Sequence, residues 1–262
     1  MRMRGTYIGN GKMLVSPIFG GKLIIPSQDL SLSPDLIISG SLEVALTKFL
    51  VQNVKPENVV VDVGANIGYF SILFGYLVGS NGKVYSFEAN REIYKYLFDN
   101  LSINYLHDRT SIYKSAVYSK ATSMSFYVST KFMGNSSINP HSDEYKKNYN
   151  DEFEKVEVDA IDLDSVFDDL QQIDFLKIDI EGGEYQAFIG MEKLIISNKI
   201  KVLIFELNKG MLQKDWNPFV ELLIGLQDNG KHFHTISDEG ELSVVDIRIL
   251  IQQQGYPYVV MT

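Results

Sequence analysis

Four charged side chains mark places where this 262-residue chain turns from strand to loop: Asp62, Glu88, Lys177 and Asp179. Asp62 belongs to Val59-Val60-Val61-Asp62-Val63, a β-branched run of the kind buried on both faces of a parallel sheet. Gly64-Ala65-Asn66-Ile67-Gly68 follows, then Phe70, Ile72, Leu73 and Leu77 at helical spacing. A strand, a glycine turn and a helix in that order form a ligand-binding βα unit. Gly64 permits torsions that a Cβ resists, Gly68 allows close approach at the helix start, and that start is expected to offer unbonded N–H groups. The spacing is G-x-N-x-G, without the second glycine of the pyrophosphate fingerprint. A carboxylate just before the turn repels pyrophosphate and suits a cationic ligand, such as the sulfonium and ammonium of S-adenosylmethionine. The plainer reading is that the glycines only join strand to helix.

Glu88 ends the next strand, Lys83 to Phe87, about 20 residues beyond the turn, where α/β nucleotide sites place an acid to accept both ribose hydroxyls. Dinucleotide sites share this feature, so Glu88 points to adenosine without choosing the cofactor. Lys177 and Asp179 interrupt the otherwise apolar Phe175-Leu176-Lys177-Ile178-Asp179-Ile180 and share one strand face. Such groups are costly in a central strand unless paired or used. They read either as a structural ion pair or as the reacting end of a site, with Glu181 and Glu206 as further carboxylates at strand ends and Gly182-Gly183 leaving room for close approach. Glu43, at the start of an amphipathic helix spanning Leu42 to Val51, reads equally as a helix-dipole carboxylate or as a pocket residue.

The elements that position these groups alternate strand and helix. Strands are expected at 59–63, 83–87, 111–117, 174–180 and 201–206, and helices follow at 91–103, 184–196 and 217–229. Regular alternation predicts a mostly parallel central sheet with helices on both faces, wound by right-handed crossovers. Residues 1–50 form an expected N-terminal extension of short strands and a helix, and 51–262 the main domain. An insertion at 118–160 follows the third strand, with an added strand near 124–128, a polar lid at 141–154 and a short strand at 156–158. The chain closes with strands at 232–237, at 244–245 or 249–250, and at 258–260.

Composition narrows the function classes. A net charge of −9 without a basic cluster argues against nucleic acid as the main partner. There is no cysteine, hence no disulfide, thiolate chemistry or cysteine zinc site. The four histidines lack a familiar metal spacing. Met1-Arg2-Met3-Arg4 is not followed by an apolar segment, and no stretch approaches the roughly 20 apolar residues of a bilayer span, so a cytoplasmic location is expected.

The combination V-V-D-V-G-A-N-I-G-Y-F-S, then F-E-A at 87–89, D-F-L-K-I-D-I-E-G-G-E at 174–184 and L-I-F-E-L at 203–207 resembles the FkbM family of S-adenosylmethionine-dependent methyltransferases. The resemblance covers residues 41–208 and includes the approach Val158 to Ser165. It implies a Rossmann-like class I methyltransferase fold and transfer of a methyl group to a hydroxyl of a sugar, glycan or secondary metabolite. Position by position, it implies that Asp62, Gly64, Ala65, Asn66 and Gly68 line the methionine end of the cofactor, that Glu88 with Ala89 holds the ribose, and that Ser115 and Ala116 border adenine. Asp179 would face the reaction centre as first candidate for general base, with Lys177 beside it and Glu181 and Glu206 behind it. A divalent metal at the acidic strand ends is a second way to activate the hydroxyl. Gly183 departs from the alanine common in the family. Two other readings stay open: a nicotinamide-dependent dehydrogenase or epimerase, and a binding subunit of the same fold without catalysis.

Overall fold

The structure, a computed structural model, describes residues 4–140, 149–253, 255 and 257–262. The chain opens with β1 (Gly5–Gly9), β2 (Lys12–Val15) and β3 (Leu23–Pro26), an antiparallel sheet of its own, and then α1 (Ser33–Ile38) and α2 (Val44–Asn53). The βα unit follows as β4 (Val59–Val63) and α3 (Tyr69–Leu77), then β5 (Lys83–Phe87), α4 (Arg91–Ile103) and β6 (Thr110–Tyr113). The insertion supplies β7 (Ala116–Val117), β8 (Thr122–Ser129) and β9 (Phe153–Ile161), and α5 (Leu163–Val166) leads to β10 (Ile173–Ile178). The second half runs α6 (Glu184–Ile189), α7 (Glu192–Ile196), β11 (Ile200–Glu206), α8 (Lys209–Leu212), α9 (Trp216–Asp228), β12 (Phe233–Ile236), β13 (Leu242–Val245), α10 (Ile247–Leu250) and β14 (Tyr258–Met261).

The central sheet has eight strands in the order β13-β12-β14-β11-β10-β4-β5-β6. It is parallel from β11 through β6 and antiparallel where β14 meets β11 and β12 and where β12 meets β13. The chain winds from β4 outward to β6 on one side and later from β10 outward on the other. The strand order therefore reverses between β4 and β10, where open α/β sheets hold their ligands. Side chains alternate across the sheet. Val61, Val63, Leu176, Ile178 and Phe205 join one core with Phe188 and Phe219, while Val60, Phe175, Ile204 and Val260 join the other with Phe49, Phe74 and Leu97. Asp62 and Lys177 are register partners on neighbouring strands, so both enter the second core.

Several expected elements take a different form. The third strand divides: after Tyr113 the chain leaves the central sheet, and Ala116–Val117 pairs with β9 in a separate three-stranded sheet. The helix expected at 184–196 breaks around Gly190, whose missing Cβ makes room for the Tyr118 carbonyl and whose own carbonyl accepts the Asp164 N–H at 2.8 Å. Residues 249–250 are helical, so the strand of that region is β13. The helix at 42–51 starts later, at Val44, and Glu43 caps it with left-handed backbone at φ 43°. Most of the expected lid, 141–148, lies outside the described residues. Just beyond it, the buried Asp151 accepts from the Ser129 hydroxyl and the Lys131 N–H, and β9 begins at Phe153.

Candidate active site

At the turn after β4, Gly64 stands at φ 76°, Asn66 at φ 50° and Gly68 at φ 93°. A Cβ on Gly64 would overlap the carbonyl oxygen of Asp179, so the glycine is what lets the ends of β4 and β10 meet. The amides of the turn ahead of α3 are taken up within the protein. Gly64 and Ala65 donate to the Phe87 carbonyl, Gly68 to the Ala65 carbonyl, Ile67 to the Asn66 side chain and Asn66 to Glu88 Oε2 at 2.8 Å. The physical reason is that three left-handed residues curl the turn back on β5 instead of aiming its N–H groups outward. Asn100 of α4, wholly buried, clips this turn to the N-terminal sheet by donating to the Ile67 and Ile24 carbonyls.

Two cavities adjoin at the β4–β10 switch point. The first is walled by Val63, Phe87, Ile93, Val117, Phe126 and Ile138, and also holds Glu88, Ala89, Ser115 and Ala116. Glu88 stands in it with Oε1 accepting the Asn90 N–H at 2.7 Å. Burial pushes its carboxyl up to about 7, against the lowering effect of the Asn90 and Asn66 N–H bonds. The second, the roomier, is polar, lined by Glu43, Lys177, Glu206 and Tyr258 beside Tyr69 and Phe70. Gly64, Asn66, Asp179 and Glu181 line both.

Asp62 lines neither cavity. It is wholly buried, its Oδ2 accepting from the Ser71 hydroxyl at 2.6 Å and its Oδ1 lying 3.8 Å from Lys177 Nζ without a hydrogen bond. Its carboxyl is raised by burial, against the pull of Lys177. Its position under the turn comes from the strand register, which places the side chain in the sheet's second core beside Lys177. Lys177 is as buried and sits 5.0 Å over the Phe70 ring and 3.3 Å from Asp179 Oδ2. Burial alone would lower its ammonium, but Asp179 and Asp62 outweigh it and hold the group above its ordinary value. Asp179 also accepts from the Tyr258 hydroxyl at 2.8 Å on that same Oδ2.

Carboxylate oxygens of Asp179, Glu181 and Glu206 all lie within 4.8 Å of one another, a spacing that a divalent ion's ligands or carboxyls sharing protons can adopt. Burial, then Asp179 and Glu184, lifts Glu206 to about 8, and burial with Glu206 and Asp179 lifts Glu181 well above the usual carboxylate range. Glu43 is raised by burial and by Asp179. Glu181 has left-handed backbone at φ 52°, held from behind by Glu184, which is buried and accepts the Ile180 and Gly182 N–H groups.

A strap that the sequence does not reveal crosses both cavities. Residues 131–139 connect the N-terminal segment to the 181–182 turn. The buried Asp29 accepts the N–H groups of Leu32, Ser33 and Met133, Leu30 donates to the Lys131 carbonyl, and Asn139 donates to the Gly182 carbonyl at 3.2 Å. Sequence reasoning also misses Tyr258. It begins a strand that runs antiparallel, so the start of β14, and not its end, reaches the ligand side of the sheet. An aromatic hydroxyl opening the final strand is the available signal.

Five parallel strands that reverse order beside two ligand cavities, with an antiparallel strand inserted beyond β11, define a class I methyltransferase fold. The chain matches the Methyltransferase FkbM domain over residues 62–258 and belongs to that family. Among solved structures it is similar to the methyltransferase FkbM from Methylobacillus flagellatus KT, at 14% identity and TM-score 0.49 over 79% of this chain and 44% of that one. It thus spans under half of that protein's length. It is also similar to a protein described as an rRNA methylase from Clostridium thermocellum (14% identity, 82% and 91% coverage, TM-score 0.46) and to one described as an O-methyltransferase from Klebsiella pneumoniae (9%, 90% and 82%, 0.45). No curated protein matches the chain. Among the described residues, no helix is long and apolar enough to cross a membrane.

Proposed function

We propose that the protein is an S-adenosylmethionine-dependent O-methyltransferase that acts on a hydroxyl of a sugar, glycan or secondary metabolite. The observation that carries this reading is the junction of the cavities, where Asp179 and Glu181 stand between an apolar slot and a polar chamber. The residues present fit the cofactor: the slot offers apolar walls to an adenine and one buried carboxylate, Glu88, to a ribose. A nicotinamide dinucleotide suits it less well, because the turn lacks the second fingerprint glycine and the amides of residues 64–68 already have partners within the protein. Residues 51–262 serve as the methyltransferase domain in this reading, and 1–50 as an extension that buttresses the turn and the strap.

When bound, S-adenosylmethionine supplies the methyl group on an electrophilic sulfonium carbon. The chain's part is to hold an acceptor hydroxyl in line with that carbon and to take its proton. Near-attack positioning supplies much of the acceleration, and a general base adds about 10²–10⁴-fold. Asp179 is the base in this reading. Glu206, raised to about 8, keeps its proton at neutral pH and acts there as a hydrogen-bond donor to acceptor oxygens. A divalent ion on Asp179, Glu181 and Glu206 would instead displace those protons and lower the pKa of a bound hydroxyl.

Calorimetry with S-adenosylmethionine, its demethylated product and NAD tests the cofactor, and labelled-methyl transfer to sugars, glycolipids and a structured RNA, each with and without EDTA, tests the acceptor. RNA belongs in the screen because a similar structure is described as an rRNA methylase. Binding of NAD without S-adenosylmethionine overturns the reading. Transfer to RNA alone overturns its acceptor half, and loss of transfer in EDTA assigns the acidic cluster to a metal.

A further inference from the structure

Asp179 carries two contacts, and both fall on one oxygen. The Tyr258 hydroxyl donates to Oδ2 at 2.8 Å and Lys177 Nζ approaches the same Oδ2 at 3.3 Å, while neither engages Oδ1. The two donors come from opposite directions in the topology. Lys177 lies on β10, two residues before Asp179, and is anchored below by Asp62 and Phe70. Tyr258 comes from β14, paired in register with Glu206 at the end of β11. We propose that Tyr258 is a positioning residue for methyl transfer: its phenol locks the Asp179 carboxylate by Oδ2 so that Oδ1 is the oxygen presented to the acceptor hydroxyl. The inference rests on the reading of Asp179 as the base.

Lys177 alone cannot fix this orientation. Its 3.3 Å contact is long for a charge-assisted hydrogen bond, and it is shared with Asp62 at 3.8 Å. The short phenol bond makes the choice between the two oxygens. Tyr258 suits that role because it stays a donor. Burial, reinforced by the charge of Asp179 and Glu43, holds its phenol well above the ordinary tyrosine value, so it remains neutral at any working pH. Asp179 belongs to the loop just after β10, outside the strand ladder, and its side chain is 27% exposed, which leaves the carboxylate free to turn without the phenol.

The test compares Tyr258→Phe, Asp179→Asn and the double variant with the wild type. Phe keeps the ring and its packing and removes only the oxygen. Crystal structures of wild type and Tyr258→Phe are expected to show the Asp179 carboxylate rotated or spread over two orientations in the variant. An Asp179 that keeps its orientation on Lys177 alone overturns the proposal, whether or not an acceptor is in hand. On the hydroxyl acceptor found in the labelled-methyl screen, Tyr258→Phe should lower kcat about 10–100-fold with KM for S-adenosylmethionine within about twofold, part of what a general base supplies. The double variant should be no slower than Asp179→Asn, because the phenol acts through that carboxylate. Losses that multiply would make Tyr258 an independent contact and overturn the proposal, as would full activity of Tyr258→Phe. Calorimetry with S-adenosylhomocysteine on the wild type separates the two levels. A wild type that fails to bind it refutes the cofactor reading. With binding intact, an unmoved carboxylate or multiplying losses in the variants refute the role of Tyr258 alone.

Discussion

Charge and shape make separable demands on Asp179. Asp179→Asn keeps the volume and can still accept from Tyr258, so the fold and cofactor affinity should survive while turnover falls about 10²–10⁴-fold. If the residue were only half of an ion pair, the change would instead cost stability, roughly 3–5 kcal/mol for breaking a buried pair outright. Lys177 retains Asp62 at 3.8 Å in the variant, so the loss expected here is smaller than that. Thermal melts and single-turnover rates on this one protein distinguish the two roles. Glu88 makes a second case. Its two oxygens already accept the Asn66 and Asn90 N–H groups, and a ribose would use their remaining lone pairs. Glu88→Gln should weaken S-adenosylmethionine binding by about 1–3 kcal/mol in calorimetry, the cost of a lost acceptor in a buried site.

The turn after β4 and the strap over it set the geometry that these residues depend on. Gly64→Ala places a methyl against the Asp179 carbonyl at a backbone angle that L-residues avoid. It should destabilise the protein by about 1–3 kcal/mol and impair turnover, read by melts and kinetics together. Asp29→Ala removes the acceptor that joins Met133 to the N-terminal segment, and amide exchange across 131–139 should rise. At this scale the sequence is legible where a pattern is local. The β-branched run, the glycines and Glu88 place the βα unit and the slot, because strand period and turn chemistry are properties of neighbouring residues. Asp62 reads as a ligand contact because its position in the chain is right. Its direction is set by the register with Lys177, which is a tertiary fact. The break at Gly190, the departure of β7 from the sheet and the strap are not legible for the same reason: each depends on a carbonyl or carboxylate distant in sequence.

The molecule as a whole buries more acid than it neutralises. Glu88 and Glu184 rise to about 7 and Glu206 to about 8, from an ordinary 4.5, with burial the leading cause in each. Between 4.5 and these values the folded protein holds protons that the unfolded chain has released. This contribution to stability is fully present below the unfolded value and is lost as pH rises through the folded one. The melting temperature of the ligand-free protein should therefore fall from about pH 5 to about pH 8.5, and Glu206→Gln should flatten the upper part of that fall while changing the melt near pH 5 little. A melting temperature that rises across this window would show these carboxyls to be ionised and compensated in the folded state.

The insertion of β14 between β11 and β12 also sets the two cavities apart along the chain. The slot is lined by residues between Val63 and Ile180 with Glu181, whereas the chamber includes Glu206 and Tyr258 as well. During synthesis, the residues that line the slot therefore emerge before those that complete the chamber. The chamber is complete only when the last strand takes its place between β11 and β12.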